Sequence, residues 1–129
     1  MTPSEEPLSC PCGSGQRFVA CCGPVVEGEA SAPTAEALMR SRFTAFATGN
    51  AGYLAASWAP ETRPSDLHVV PERRWVRLEI IDTVAGRQLD TDGIVEFRAH
   101  WEQGAASGVL TERSRFRRDA GRWLYVDSV

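Results

Sequence analysis

All four cysteines of this 129-residue chain fall within residues 10–22, in the run Cys10-Pro11-Cys12-Gly13-Ser14-Gly15-Gln16-Arg17-Phe18-Val19-Ala20-Cys21-Cys22-Gly23. The spacing is C-x-C, eight residues, then C-C. A disulfide framework would spread its bridges through the fold of a secreted chain. Adjacent cysteines such as Cys21 and Cys22 are also a poor bridge pair, because the two side chains must face each other. A metal explains the cluster better. Two ligand pairs on short turns, joined by a loop, can converge on one tetrahedral ion with thiolate bonds of about 2.3 Å. Gly13 and Gly15 allow the backbone angles of a tight turn, and their N–H groups are placed to donate to the sulfurs. Four protein ligands leave no open position, so the expected zinc site is structural and not hydrolytic. The alternative is four reduced thiols with no ion.

The run Cys10-Pro11-Cys12-Gly13-Ser14-Gly15 through Cys21-Cys22-Gly23 resembles the SEC-C motif, known from the C-terminus of the preprotein translocase ATPase SecA and from many other bacterial proteins. The resemblance implies that Cys10, Cys12, Cys21 and Cys22 ligate zinc, with Cys22 standing where SecA has a histidine. In SecA the motif is rich in lysine and is associated with chaperone and acidic-lipid contacts. Here Arg17 is the one basic residue of the intervening loop.

Composition narrows the remaining chemistry. The net charge is −3 from 14 basic and 17 acidic side chains, which argues against a general nucleic-acid binder. Every basic residue is arginine, so lysine Schiff-base and phosphate-loop lysine chemistry are excluded. No run approaches the ~18 apolar residues of a membrane span. Met1–Pro7 lacks the apolar core of a secretory signal, and the expected location is the cytoplasm.

The elements that must position these groups follow from periodicity. Residues 1–23 form the zinc-binding segment, and residues 24–33, with their prolines, glutamates and small residues, read as a linker. Residues 34–129 form the main domain. Thr34 is a helix N-cap with Glu36 in the first turn, and Leu38, Met39, Phe43, Phe46 and Ala47 repeat at helical spacing to Ala47. A second helix is expected over Ala51–Trp58, then an irregular connection with one helical turn near Ser65–Leu67. The period then changes to two. Strands are expected over Trp75–Val84, Ile94–Glu102, Val109–Arg118 and Arg122–Asp127, with a loop over Gln103–Gly108. Short connections between successive strands imply an antiparallel meander covered on one face by the helices. The fold class is α+β.

That order resembles the cone-shaped fold of the nuclear transport factor two-like superfamily. Three segments narrow the resemblance: Thr34 through Ala47, Tyr53-Leu54-Ala55-Ala56-Ser57-Trp58-Ala59-Pro60, and Ser114 through Asp127. With the cysteine motif they are similar to the bacterial YchJ family, which pairs an N-terminal SEC-C motif with a cone-shaped domain. The resemblance implies a pocket between helices and sheet, and pairing of two copies through the open sheet face. The polar row Glu96, Arg98 and His100 on that face works against such a dimer.

Within the main domain, Arg42 sits at the edge of the apolar helix face, within reach of a pocket anion or of a sheet carboxylate such as Glu96 or Glu112. Asp82 shares strand parity with Val76, Leu78 and Ile80, either as a pocket acid or as a strand-end residue. His100 lies on the polar face of its strand, and His68 in the proline-flanked connection. Arg113, Arg115 and Arg117 share one strand face beside Arg118, balanced by Glu79, Glu96 and Glu102. Trp75, Trp101 and Trp123 are expected in the core. The leading expectation is a non-enzymatic binding or adaptor protein with a structural Zn(Cys)4 site, docking a protein partner through Arg17, Phe18 and Val19. The alternative is a small-molecule binder or enzyme using Arg42, Asp82 and His100.

Overall fold

The computed structural model describes residues 9–129. Met1–Pro7, read above for a targeting signal, lies outside the described residues. A single 3-10 turn at Phe18–Ala20 leads into helix α1 (Cys22–Val26), followed by α2 (Ala35–Thr48) and α3 (Ala51–Ala56). Four strands follow, β1 (Arg74–Ala85), β2 (Asp92–Gln103), β3 (Ala106–Asp119) and β4 (Arg122–Ser128), in one antiparallel sheet of order β1-β2-β3-β4. This is the expected α+β meander with helices on one face.

Local signals explain where α2 begins and ends. Thr34 is extended, and its hydroxyl accepts from the Ala37 amide at 3.0 Å, satisfying one of the first-turn donors. At the other end Gly49 adopts φ +75°. Its amide donates to Phe46 O and the Asn50 amide to Ala45 O, a Schellman closure. Asn50 then caps α3 by accepting from the Tyr53 amide at 3.0 Å. Two residues therefore stop one helix and start the next. Helix α3 ends two residues earlier than its sequence suggests, because the chain beyond it pairs with β4. The Tyr125 amide donates to Ser57 O, and the Ala59 amide to Tyr125 O. This pairing also covers the β4 edge.

The core lies between α2 and the concave face of the sheet. Leu38, Met39 and Phe43 meet Leu78, Val95, Phe97, Phe116 and Trp123. The segment read as a linker is packed down. Pro24–Val26 are part of α1, Ala32 is buried in the core, and Pro33 O accepts from Trp123 Nε1. Residues 65–67 form no helix. The loop expected over Gln103–Gly108 shrinks to Gly104-Ala105, since pairing continues to Gln103↔Ala106 and Gly104 takes φ +60°. Trp101 lies outside the main core, against Gly108 and under the Arg73 guanidinium, 4.0 Å from ring centre to Cζ.

Strand β1 departs from simple alternation twice. Register shifts fall between Trp75 and Arg77 and between Ile80 and Asp82. Each inserts a residue without a cross-strand partner, so parity flips there. Val76, expected inside, is 45% exposed, and Ile81 is exposed as well.

The N-terminus of α2 abuts the β1–β2 connection, where the Ala35 amide donates to Gly86 O at 2.9 Å. A Cβ on Gly93 would lie 2.5 Å from Gly86 Cα, with backbone on one side and Ala35 on the other. Gly93→Ala is expected to cost about 1–3 kcal/mol by overpacking. Gly52→Ala in α3, where the added methyl meets only the Asn50 side chain at 3.7 Å, should stabilise by up to ~1 kcal/mol. Urea midpoints of the two variants check both signs.

Candidate functional site

The cysteine segment folds into a small closed turn. The Cys10 amide donates to Gln16 O at 2.9 Å and the Gly13 amide to Cys10 O at 3.1 Å, while Ser9 bridges Arg17. Gly13 and Gly15 both take positive φ, +79° and +86°, which the turn requires. The 3-10 turn then swings the chain back, and the first residue of α1 is Cys22. Phe18 lies against Gly23 so closely that a Cβ there would be 2.7 Å from Phe18 O. A glycine directly after the Cys-Cys pair is thus a packing requirement.

This path brings all four sulfurs within 4.8 Å of one another. Cys12 Sγ lies 3.6 Å from Cys21 Sγ, and Cys21 Sγ 3.9 Å from Cys22 Sγ. A tetrahedron with 2.3 Å metal–sulfur bonds has edges of about 3.8 Å, so the donor set has the size and chemistry for one thiophilic ion. Cys10, Cys12 and Cys22 are buried, and Cys21 is half-buried. The neighbouring Cys22 thiol and the Ser14 groups pull Cys12 down, against its burial. In turn Cys22 is raised by its closeness to Cys12 and by burial, and Cys21 is raised by burial.

The donors that soften the cluster charge are not the two glycine amides. Ser14 is the polar group at the sulfurs, its hydroxyl 3.2 Å from Cys21 Sγ, and it acts to lower both Cys12 and Cys21. The residue was legible only as the small polar member of Gly-Ser-Gly. The turn is also tied to α2. Arg40 Nη1 donates to Cys12 O at 2.9 Å while its Nε donates to Glu36, and Cys10 Sγ lies 3.7 Å from Thr44 Oγ1. Burial pulls the Arg40 guanidinium down, but Glu36 and the Cys12 sulfur outweigh it and hold it charged. Of the residues read as a partner surface, Arg17 is exposed, Val19 is 63% exposed, and Phe18 is half-buried over Gly23.

The second candidate constellation is not assembled. Arg42 is 3% exposed and lines a cavity of about 180 Å³ with Met39, Phe46, Trp58, Trp75, Glu112 and Tyr125. Its Nη1 donates to Leu54 O at 3.0 Å and Ser57 Oγ at 2.7 Å, and its guanidinium stacks over Trp58 and Tyr125, at 4.8 and 4.6 Å. Burial pushes it down to about 10, still charged at neutral pH. Asp82 and His100 lie elsewhere. The second register shift in β1 turns Asp82 onto the outer face opposite Glu96, where Arg113 reaches both carboxylates. Outer-face His100 bonds Glu79 at 2.8 Å, and His68 is exposed, bonded to Asp66 O. Sequence reasoning passed over Tyr125 and weighed Glu112 only as an ion-pair partner for Arg42. The β3 parity that places Glu112 with Leu110, Ser114 and Phe116 was its available signal.

The basic strand face is neutralised. Arg113 pairs with Glu96 and Asp82, Arg115 with Asp127, and Arg117 with Glu61 and Asp119. No helix among the described residues is long and apolar enough to cross a membrane.

Comparison with known proteins matches this architecture. Residues 34–128 match the family model for the middle, NTF2-like domain of YchJ. A UPF0225 protein of Streptomyces coelicolor is 50% identical over 118 residues, covering 92% of each chain. A UPF0225 protein of Corynebacterium glutamicum is 51% identical over 116 residues, covering 90% of this chain and 92% of its own. The solution structure of a SEC-C motif containing protein from Rhodopseudomonas palustris superposes with a TM-score of 0.82 at 33% identity, over 93% of this chain and 96% of that one. The crystal structure of a SEC-C motif containing protein from Psychrobacter arcticus shares the fold, with a TM-score of 0.75 at 24% identity over 92% of this chain and 80% of that one. An N-terminal cysteine cluster docked on an NTF2-like domain, with relatives of this identity along nearly its whole length, makes this chain a member of the YchJ family.

Proposed function

We propose that the protein is a cytoplasmic, non-enzymatic binding module in which Cys10, Cys12, Cys21 and Cys22 hold one structural zinc ion. The observation that carries this reading is the mutual approach of four sulfurs within 4.8 Å on a short segment held otherwise by turn hydrogen bonds, a few apolar contacts and two polar ties to α2. Such a segment has too little apolar surface to fold alone, and a structural zinc site contributes on the order of 10 kcal/mol of folding free energy. A thiolate-only donor set favours zinc over harder ions and needs a reducing compartment. With all four positions filled by protein, the ion has no site for substrate. The outer-face placement of His100 and Asp82 supports a role without acid–base chemistry.

The ion fixes the loop that presents Arg17, Phe18 and Val19, and we assign protein docking to this surface. Val19 is the exposed apolar side chain of this loop, and Phe18 beside it is anchored against Gly23.

Native mass spectrometry of the purified chain is expected to show one zinc per chain. Cys12→Ser should abolish its retention while the far-ultraviolet signal of the sheet persists. A wild-type protein without metal, its four thiols all freely reactive in the native state, would overturn the zinc assignment. Acidification should release the ion progressively, because protons compete for the thiolates; a zinc-sensitive dye reads this directly.

Docking is tested separately. Val19→Ala should retain full zinc content and lose about tenfold or more in affinity for a partner captured by the wild type, as for a residue at an interface centre. Unchanged capture by Val19→Ala and Phe18→Ala variants that retain zinc removes the docking assignment and leaves the metal site standing.

A further inference from the structure

The cavity between α2 and the concave face of the sheet holds polar groups that the fold leaves unused. Most of its wall is apolar, with Met39, Phe46, Trp75 and Leu110 as large contributors. Set into that wall are Arg42, Trp58 and Glu112. Only Nη1 of the buried Arg42 guanidinium has hydrogen-bond partners among the described residues; Nε and Nη2 have none. No carboxylate among the described residues lies within ion-pair distance of it, and its charge faces the rings of Trp58 and Tyr125. Trp58 Nε1 is buried and has no partner. Glu112 Oε2 accepts from Ser114 Oγ at 2.6 Å and from Tyr125 at 3.1 Å, while Oε1 accepts from no described group.

Buried polar atoms are nearly always partnered, so the buried, unpartnered Trp58 Nε1, on a cavity that also carries free hydrogen-bonding positions of Arg42 and Glu112, marks where a ligand's polar atoms belong. Charge and size then set the class. Arg42 and Glu112 are opposite charges on the same cavity, so its net charge is zero. A carboxylate would meet Glu112 in a medium of low dielectric, and an ammonium would meet Arg42. The volume of about 180 Å³ is close to that of an engineered cavity of ~150 Å³ that takes up benzene, room for one substituted ring. Aromatic walls favour a planar guest.

We propose that this cavity binds a small, neutral, planar aromatic molecule carrying a carbonyl and an adjacent N–H, of the aromatic carboxamide or heteroaromatic lactam class. The carbonyl accepts from Arg42 and Trp58, and the N–H donates to Glu112. The assignment is independent of the metal reading, since none of these residues touches the cysteine cluster.

The test uses the full chain as purified, titrated with benzamide, benzoate and ethylbenzene and read by chemical-shift changes, including the indole N–H of Trp58. Benzamide is expected to bind and to move the Trp58 indole signal, with an affinity about tenfold above the other two probes, the scale of one charge-assisted hydrogen bond. Glu112→Gln leaves Arg42 as the sole charge at similar shape, so the preference should switch to benzoate. Trp58→Phe should weaken benzamide about fivefold and leave ethylbenzene unchanged, a result that does not depend on how well the Glu112 variant folds. Equal binding of ethylbenzene and benzamide, a wild-type preference for benzoate, an unaltered preference in a folded Glu112→Gln variant, an unweakened benzamide affinity in Trp58→Phe, or no binding of any probe each overturns the proposal.

Discussion

Helix α2 is enclosed on three sides, and every other part of the molecule is placed by that enclosure. Leu38, Met39 and Phe43 pack into the sheet, Arg40 and Thr44 meet the cysteine turn, and Ser41 and Arg42 face α3 and the segment that follows it. A surface helix normally keeps one broad polar face in water. This one buries Ser41, Arg42 and Thr44 as fully as its apolar residues, and each is hydrogen-bonded or stacked where it lies. The caps at Thr34 and Gly49-Asn50 set its length, so the spacing of the three interfaces along it is set as well.

The cysteine turn and the sheet make different demands on that helix. The sheet offers a continuous apolar face and would hold α2 without help. The turn offers three buried sulfurs and some backbone, and its attachment to α2 rests on polar contacts at Cys12 O and Thr44. Contacts of that kind are directional and worth about 1 kcal/mol each. They orient a turn whose internal order must come from elsewhere, and convergent thiolates are the means available in a segment this short. Charge on the outer sheet face is handled in the opposite way. Arg113, Arg115 and Arg117 each sit beside carboxylates, and exposed pairs like these contribute little to stability. Their effect is to cancel a basic stripe, whereas the buried Arg42 has aromatic rings and hydrogen-bond acceptors beside it in place of an ion pair.

The cysteine cluster, the α2 cap and core face, and the four-strand meander were all legible in the sequence, because ligand spacing, capping chemistry and periodicity are local signals. What was missed depended on non-local geometry. Asp82 was misplaced because parity counting assumes an unbroken strand, and the shifts near Val76 and Ile81 break it twice. The linker reading of residues 24–33 followed composition, which cannot show that Ala32 and Pro33 O would find partners on the main domain. Tyr125 shares strand parity with core Trp123 and was legible, but that Trp58 would meet it was not, because the chain after α3 pairs in parallel with β4, a long-range event with no local signature. Ser14 was hidden for the opposite reason: next to glycines a serine reads as turn filler, and its role at the sulfurs exists only once the turn has closed.

Arg40 and Arg42 show how one helix serves two sites without mixing them. Two residues apart, they project about 200° from one another around the helix axis. One guanidinium closes on Cys12 O and the other lines the interior cavity, with the helix backbone between them. Opposite sides of a single rigid element cannot shift separately when both are close-packed. The sheet core and the chain after α3 hold Arg42 against Ser57 and Leu54, and with it one wall of the cavity. Loss of order in the turn would free Arg40 and Thr44, while the sheet side of the helix keeps its own contacts. The metal cluster and the cavity are chemically unrelated, yet they share a mechanical foundation in the same 14 residues.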